Sequence, residues 1–243
     1  MFRPGLDAEE AHVTTKLDDL KTQLARPGVI LEIGGFRPPD DPLASWFGRV
    51  NVCAPDETWP ETAGRPMHAL CQINVSDLPL RPARLADITL ITVFIGPDTL
   101  PVDTPNGEGW CLRAYKRLDG LVPLAPRHTD SPISAFPMRP HVFHDDYPCW
   151  EDAPMDLPAD IEAHYHDLFR NLDGFKLGGW PTLIQAEIFW APFKRHPASP
   201  EFVFQIDSTD KGPWMWGDGG VGYFGRGTAP EKEDEWALAW QCY

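Results

Sequence analysis

The sequence predicts an α+β fold dominated by β-structure, with mixed or antiparallel sheets, few helices and an internal duplication. Three observations carry this. Most apolar runs are short, rich in β-branched and aromatic residues, and bounded by glycine or proline. Only two segments keep a helical period. The heptapeptides CQINVSD (Cys71 to Asp77) and FQIDSTD (Phe204 to Asp210) echo each other.

The elements follow in order. Asp7 and Glu10 form a D-x-x-E capping box, and Val13, Leu17, Leu20 and Leu24 continue at helical spacing until Arg26-Pro27-Gly28 stops them. Residues 29–33 (VILEI) read as a strand closed by Gly34-Gly35, and the proline-rich FRPPDDPLASW as a loop. Three strands follow, at residues 69–75, 88–95 and 110–115. Residues 119–155, with many prolines and little periodicity, read as a long connection, and HVFHDDYP within them as loop. A second helix is expected after Asp156 as cap and Pro158 in the first turn. Ile161, Tyr165, Leu168, Phe169 and Leu172 line one face of it, and Gly174 is the stop. Strands at 183–190 and 201–207, a hairpin near Gly217 to Val221 and a final strand in EWALAWQCY complete the chain.

The repeat organises this series. Each Q-I-[ND] strand follows a loop bearing Trp-Pro and precedes a glycine-rich segment; Gly48 lies 24 positions before Gln72, and Gly178 lies 27 before Gln205. The expected organisation is a first half-repeat at 1–118, a connection at 119–155 and a second half-repeat at 156–243, both halves forming one compact unit. Duplication would place Gln72 and Gln205 at equivalent positions.

Composition narrows the function classes. The chain has 243 residues, enough to bury a sizeable core without disulfide or metal staples. Its 27 prolines are about twice the usual ~5% share; interleaved with apolar runs, they indicate ordered loops. The net charge of −15 argues against nucleic-acid or anionic-membrane partners and favours a basic protein partner; a small ligand is the other partner expected. Five cysteines without CxxC spacing, and no leader-like segment, lead to an expectation of reduced thiols in the cytoplasm. No apolar run approaches the ~20 residues of a membrane-spanning helix.

The stretches KLGGWPTLIQ (176–185), FQIDS (204–208) and WMWGDGGVGYF (214–224), with SWFGRV, TWP and GRPMHALCQINVSDLP in the first half, resemble the YwqG-like family of bacterial proteins, which carry a domain of unknown function. The resemblance covers roughly residues 27–243, weakly across 97–155. It implies a duplicated α+β fold and no particular reaction. One departure stands out: the first Gly-Gly-x-P turn of the family reads Gly48-Arg49-Val50-Asn51 here.

The candidate ligand-binding residues are Gln72, Gln205, Asp207, Trp216, Asp218 and Trp180. Asp207 and Asp218 could form an acid/base pair if the neighbouring tryptophans desolvated one of them. An Asp218-Gly219 turn and a strand-end Asp207 account for both carboxylates structurally. The glutamines lie inside apolar strands and need hydrogen-bond partners there. Calcium is not expected: an EF-hand register from Asp207 would put Thr209 and Lys211 where oxygen ligands belong. His164 and His166 would point about 200° apart on one helix and cannot share an ion. No metal or cofactor is expected. No nucleophile elbow, Walker A or dinucleotide fingerprint is present. The expected function is a non-enzymatic binding protein, immunity-like in one version; the alternatives are a hydrolase or carbohydrate-active enzyme using Asp207 and Asp218, and a purely structural module.

Overall fold

The computed structural model describes residues 16–185, 188 and 195–243. It is an α+β fold of few, short helices and one large antiparallel sheet. Residues 16–24 form α1; Leu20 and Leu24 bury against Ile161, Tyr165 and Phe169, so the helical spacing marks the packed face. The predicted capping box and Val13 lie outside the described residues. The strands are β1 (Arg26–Ile33), β2 (Trp46–Phe47), β3 (Val52–Cys53), β4 (Glu61–Thr62), β5 (Arg65–Pro66), β6 (His68–Asn74), β7 (Leu90–Ile95) and β8 (Trp110–Tyr115). They continue as β9 (Val122–Pro123), β10 (Phe136–Asp146), β11 (Lys176–Gly178), β12 (Glu201–Asp207), β13 (Val221–Arg226) and β14 (Trp236–Gln241).

Ten of these strands form one sheet in the order β14-β13-β12-β11-β1-β10-β2-β6-β7-β8, and every pairing is antiparallel. The glutamine-bearing strands β6 and β12 each stand third from an end. The two ends curl towards each other: Lys116, just after β8, reaches Asp234, just before β14, at 2.7 Å. Trp240 of β14 donates its indole N–H to Pro101 O at 2.7 Å. One apolar core runs through both arms, from Leu70, Ile91 and Trp110 to Phe204, Trp216 and Phe224.

Two expectations need correction. Residues 119–155 are not only a connection, because they contain β10, whose pairing with β1 joins the two arms at the centre of the sheet. HVFHDD therefore lies in a strand. Its prolines disguised it, yet the one inside the stretch paired with β1, Pro140, costs little. Leu31 N–H donates to Phe175 O, towards β11, so the Leu31–Pro140 pair exchanges no ladder bonds with β1. Pro140 thus turns its missing donor to the side where β10 has only β2, paired no further than Pro137. The second correction concerns the helix at 156–172. It is two single turns, α2 (Ala159–Glu162) and α3 (Tyr165–Leu168), broken at His164 (φ −122°, ψ 19°) and started by Pro158, not Asp156. Tertiary packing overrides the helical propensity here. Tyr165 O–H donates to Pro148 O at 3.0 Å, and its ring stacks on Phe169 with centroids 4.7 Å apart. The strand expected at 183–190 is irregular over 183–185, and most of its remainder lies outside the described residues.

Candidate functional site

Both glutamines are fully buried and make matching bonds. In β6, Gln72 stands opposite Trp46 of β2 and Thr92 of β7. In β12, Gln205 stands opposite Lys176 of β11 and Tyr223 of β13. Gln72 Nε2 donates to Ala44 O at 2.9 Å, while its Oε1 accepts from Val52 N at 3.4 Å and Asn51 N at 2.9 Å. Gln205 Nε2 donates to Gly174 O at 3.3 Å, and its Oε1 accepts from Thr182 N at 2.8 Å. In each arm one carboxamide therefore ties down the chain on both sides of a turn that begins with a left-handed glycine, Gly48 (φ 69°) or Gly178 (φ 74°). The turns themselves are held alike: Met138 N–H donates to Ser45 O, and Leu31 N–H to Phe175 O.

Of the other predicted site residues, Asp207 joins Gln205, while Trp216 and Asp218 go elsewhere. Asp207 accepts from Gln205 Nε2 at 2.9 Å and from Gly174 N at 2.6 Å. Burial pushes its pKa up to about 6 against those two donors. Trp216 is fully buried, edge-on to Trp214 at 5.2 Å and packed on Phe224. Asp218 is exposed in the β12–β13 loop and is not itself left-handed; its neighbours Gly217 and Gly219 are, as is Gly212 earlier in the loop. The tight Asp-Gly hairpin is thus corrected to a longer loop bridged at Thr209 and Trp214.

Among the described residues, Trp180 is the one of the six that borders the larger of two clefts. The Gly178–Pro181 turn forms one wall of a concavity of about 1010 Å³, with Arg26, Arg81, Arg84, Asp152 and Glu201 around it. The turn needs its double glycine: Gly178 and Gly179 are both left-handed, and a Cβ on Gly179 would lie 2.3 Å from Asp146 Oδ2. That closeness lets Asp146 accept from Trp180 N at 2.7 Å and from Lys176 Nζ at 3.0 Å, behind the wall. Trp180 donates its indole N–H to Leu24 O at 2.8 Å, and the Arg26 guanidinium lies over its ring, 3.3 Å from the centroid. Partial burial pulls the Arg26 pKa down, opposed by Asp152, Glu201 and Asp146. The first turn borders a smaller cleft of about 530 Å³. There Arg49 occupies the second-glycine position and lies 4.7 Å from the Trp46 ring centroid.

The sequence reading missed the arginines. No local signal marks them: Arg26-Pro27 and Arg81-Pro82 are two of six Arg-Pro pairs in the chain. The histidine clusters separate: His141 pairs with Glu32 at 2.9 Å on exposed strand surface, and His164 sits at the break between α2 and α3.

A family model described as a domain of unknown function, DUF1963, matches residues 45–226, about three quarters of the chain. The chain belongs to the DUF1963 family. A search of curated proteins returned no match. The DUF1963 match spans both glycine turns, both glutamines and Trp180, while Arg26 and β14 lie outside it.

Proposed function

We propose that this chain is a non-catalytic binding protein whose ligand seat is the cleft over the Gly178–Pro181 turn. One observation carries the reading. A concavity of small-ligand size is walled by a tryptophan whose backbone and indole are both fixed, and an arginine is stacked on it. A rigid aromatic–cation wall serves recognition. The hydrolase alternative has less support, because Asp207 is tied to Gln205 and Gly174 while Asp218 stands on an exposed loop. The matching glutamine clamps and the mirrored strand order favour descent of the two arms from one duplicated unit, in keeping with the YwqG-like resemblance. On that reading the second arm keeps the double-glycine turn and the larger cleft, and the first has exchanged its second glycine for Arg49.

The test uses Ala83→Trp, which fills the cleft from an exposed lining position. Thermal-shift screening against a metabolite panel is expected to find small molecules that stabilise the wild type and not this variant. A panel that stabilises neither protein, or both alike, overturns the reading.

A further inference from the structure

We infer that the ligand of this cleft carries an oxyanion, a carboxylate or phosphate group, seated against the Arg26 guanidinium. The inference rests on the cleft being a binding site and adds the chemistry of its occupant. Three arginines border the cleft against two carboxylates, Asp152 and Glu201, so a chain of net charge −15 presents here a local excess of positive charge. Contact with the Trp180 ring holds the Arg26 guanidinium in place, and among the described residues no hydrogen bond is made by its N–H groups. A guanidinium offers five donors in a rigid fork that matches an oxyanion edge.

The neighbouring arginine points the same way. Arg84 Nε is buried without a hydrogen-bond partner among the described residues and is held only by an ion pair with Glu201 Oε2 at 3.6 Å, while its Nη2 donates to Arg226 O at 2.9 Å and to Gly227 O. Arg81 makes one long bond, 3.3 Å to Ala86 O, and is otherwise exposed on the rim. A buried donor without an acceptor is costly, and a charged acceptor repays it most fully. The remaining contacts of the wall are already committed: Trp180 N to Asp146, its indole to Leu24 and Gly179 N to Pro27 O. The donors that this wall leaves open to a ligand are therefore cationic, those of Arg26 foremost. A ligand without an acceptor oxygen leaves them unmet, and an oxyanion meets them with opposite charge.

Pyrophosphate and citrate, titrated separately at constant ionic strength and followed by amide chemical shifts, test this. At least one is expected to bind saturably, and which one binds separates a phosphate from a carboxylate ligand. In Arg26→Gln that binding is expected to weaken roughly tenfold or more, about the worth of one charge-assisted hydrogen bond. Arg26→Lys keeps the charge without the fork and is expected to fall between. Arg117→Gln, at an exposed Arg117–Asp119 pair, is expected to leave binding unchanged. No saturable binding of either anion, or binding indifferent to both Arg26 variants, overturns the inference. If both anions fail while an uncharged molecule binds the wild type and is excluded by Ala83→Trp, the oxyanion falls and the cleft stands.

Discussion

Lys176 donates to Asp146 Oδ2 at 3.0 Å, and neither side chain reaches solvent. Asp146 also accepts from the backbone of Leu172 at 2.7 Å and of Trp180 at 2.7 Å, so its two oxygens join β10, β11 and the cleft wall. The two partners are unequal. Asp146→Ala leaves a buried ammonium with only the Leu172 carbonyl and no counter-charge, frees two amides, and is expected to cost about 3–5 kcal/mol. Lys176→Met leaves the carboxylate its two amide donors and is expected to cost less. Urea unfolding measures both, and the reverse order would refute the hub role assigned to Asp146.

Asp207 makes stability depend on pH in an unusual direction. Its folded pKa, about 6, lies above the ordinary 3.8, so the folded state holds the proton more tightly. The associated stability is fully present below about pH 4 and is lost as pH rises through about 6, amounting to ~2–3 kcal/mol. Asp87 has the opposite sign: Arg226 beside it holds its pKa at about 2, so its contribution fades only as pH falls from about 4 towards 2. Subtracting the pH profile of Asp207→Asn from that of the wild type isolates the Asp207 term between pH 4 and 6. A flat difference over that window would show that Asp207 does not retain its proton.

The glutamine clamps predict paired losses. Gln72→Ala orphans Asn51 N and Ala44 O, and Gln205→Ala orphans Thr182 N and Gly174 O, all close to buried strands. Each substitution is expected to cost ~2–4 kcal/mol by leaving such groups unsatisfied. Gln72→Ala, in the arm away from the large cleft, is expected to leave anion binding unchanged. Denaturant melts and the pyrophosphate and citrate titrations read both quantities. A Gln72→Ala protein that is stable but no longer binds would make that amide a ligand contact.

Legibility from sequence followed the local physics. β8 and β12 appear as read, because β-branched and aromatic residues between turn signals leave few alternatives. The echo of Gln72 in Gln205 located two positions of matching register. β10 was hidden because a proline such as Pro140 is tolerated in a strand only where its missing donor faces no partner, which no local pattern encodes. The helix at 156–172 was over-read because its apolar face is satisfied by two separate turns. The site was half legible: the double-glycine turn and Trp180 were visible, but Arg26, Arg81 and Arg84 meet only when β1 pairs with β11 and the 80–84 loop packs beside them.

Trp216 and Gly222 show how the tryptophan-rich loop serves the core. A Cβ on Gly222 would lie 2.3 Å from the indole of Trp216, which is fully buried against Trp214 and Phe224. Gly222→Ala must displace that ring or bend β13, and is expected to cost about 1–3 kcal/mol or more. Asp218, four residues earlier, is exposed, and Asp218→Asn is expected to stay within about 0.5 kcal/mol of wild type. Thermal unfolding of the two variants side by side tests the assignment. If Asp218→Asn proved the more damaging, the loop would owe its stability to that carboxylate and not to the packing of Trp216 over a side chain that is absent.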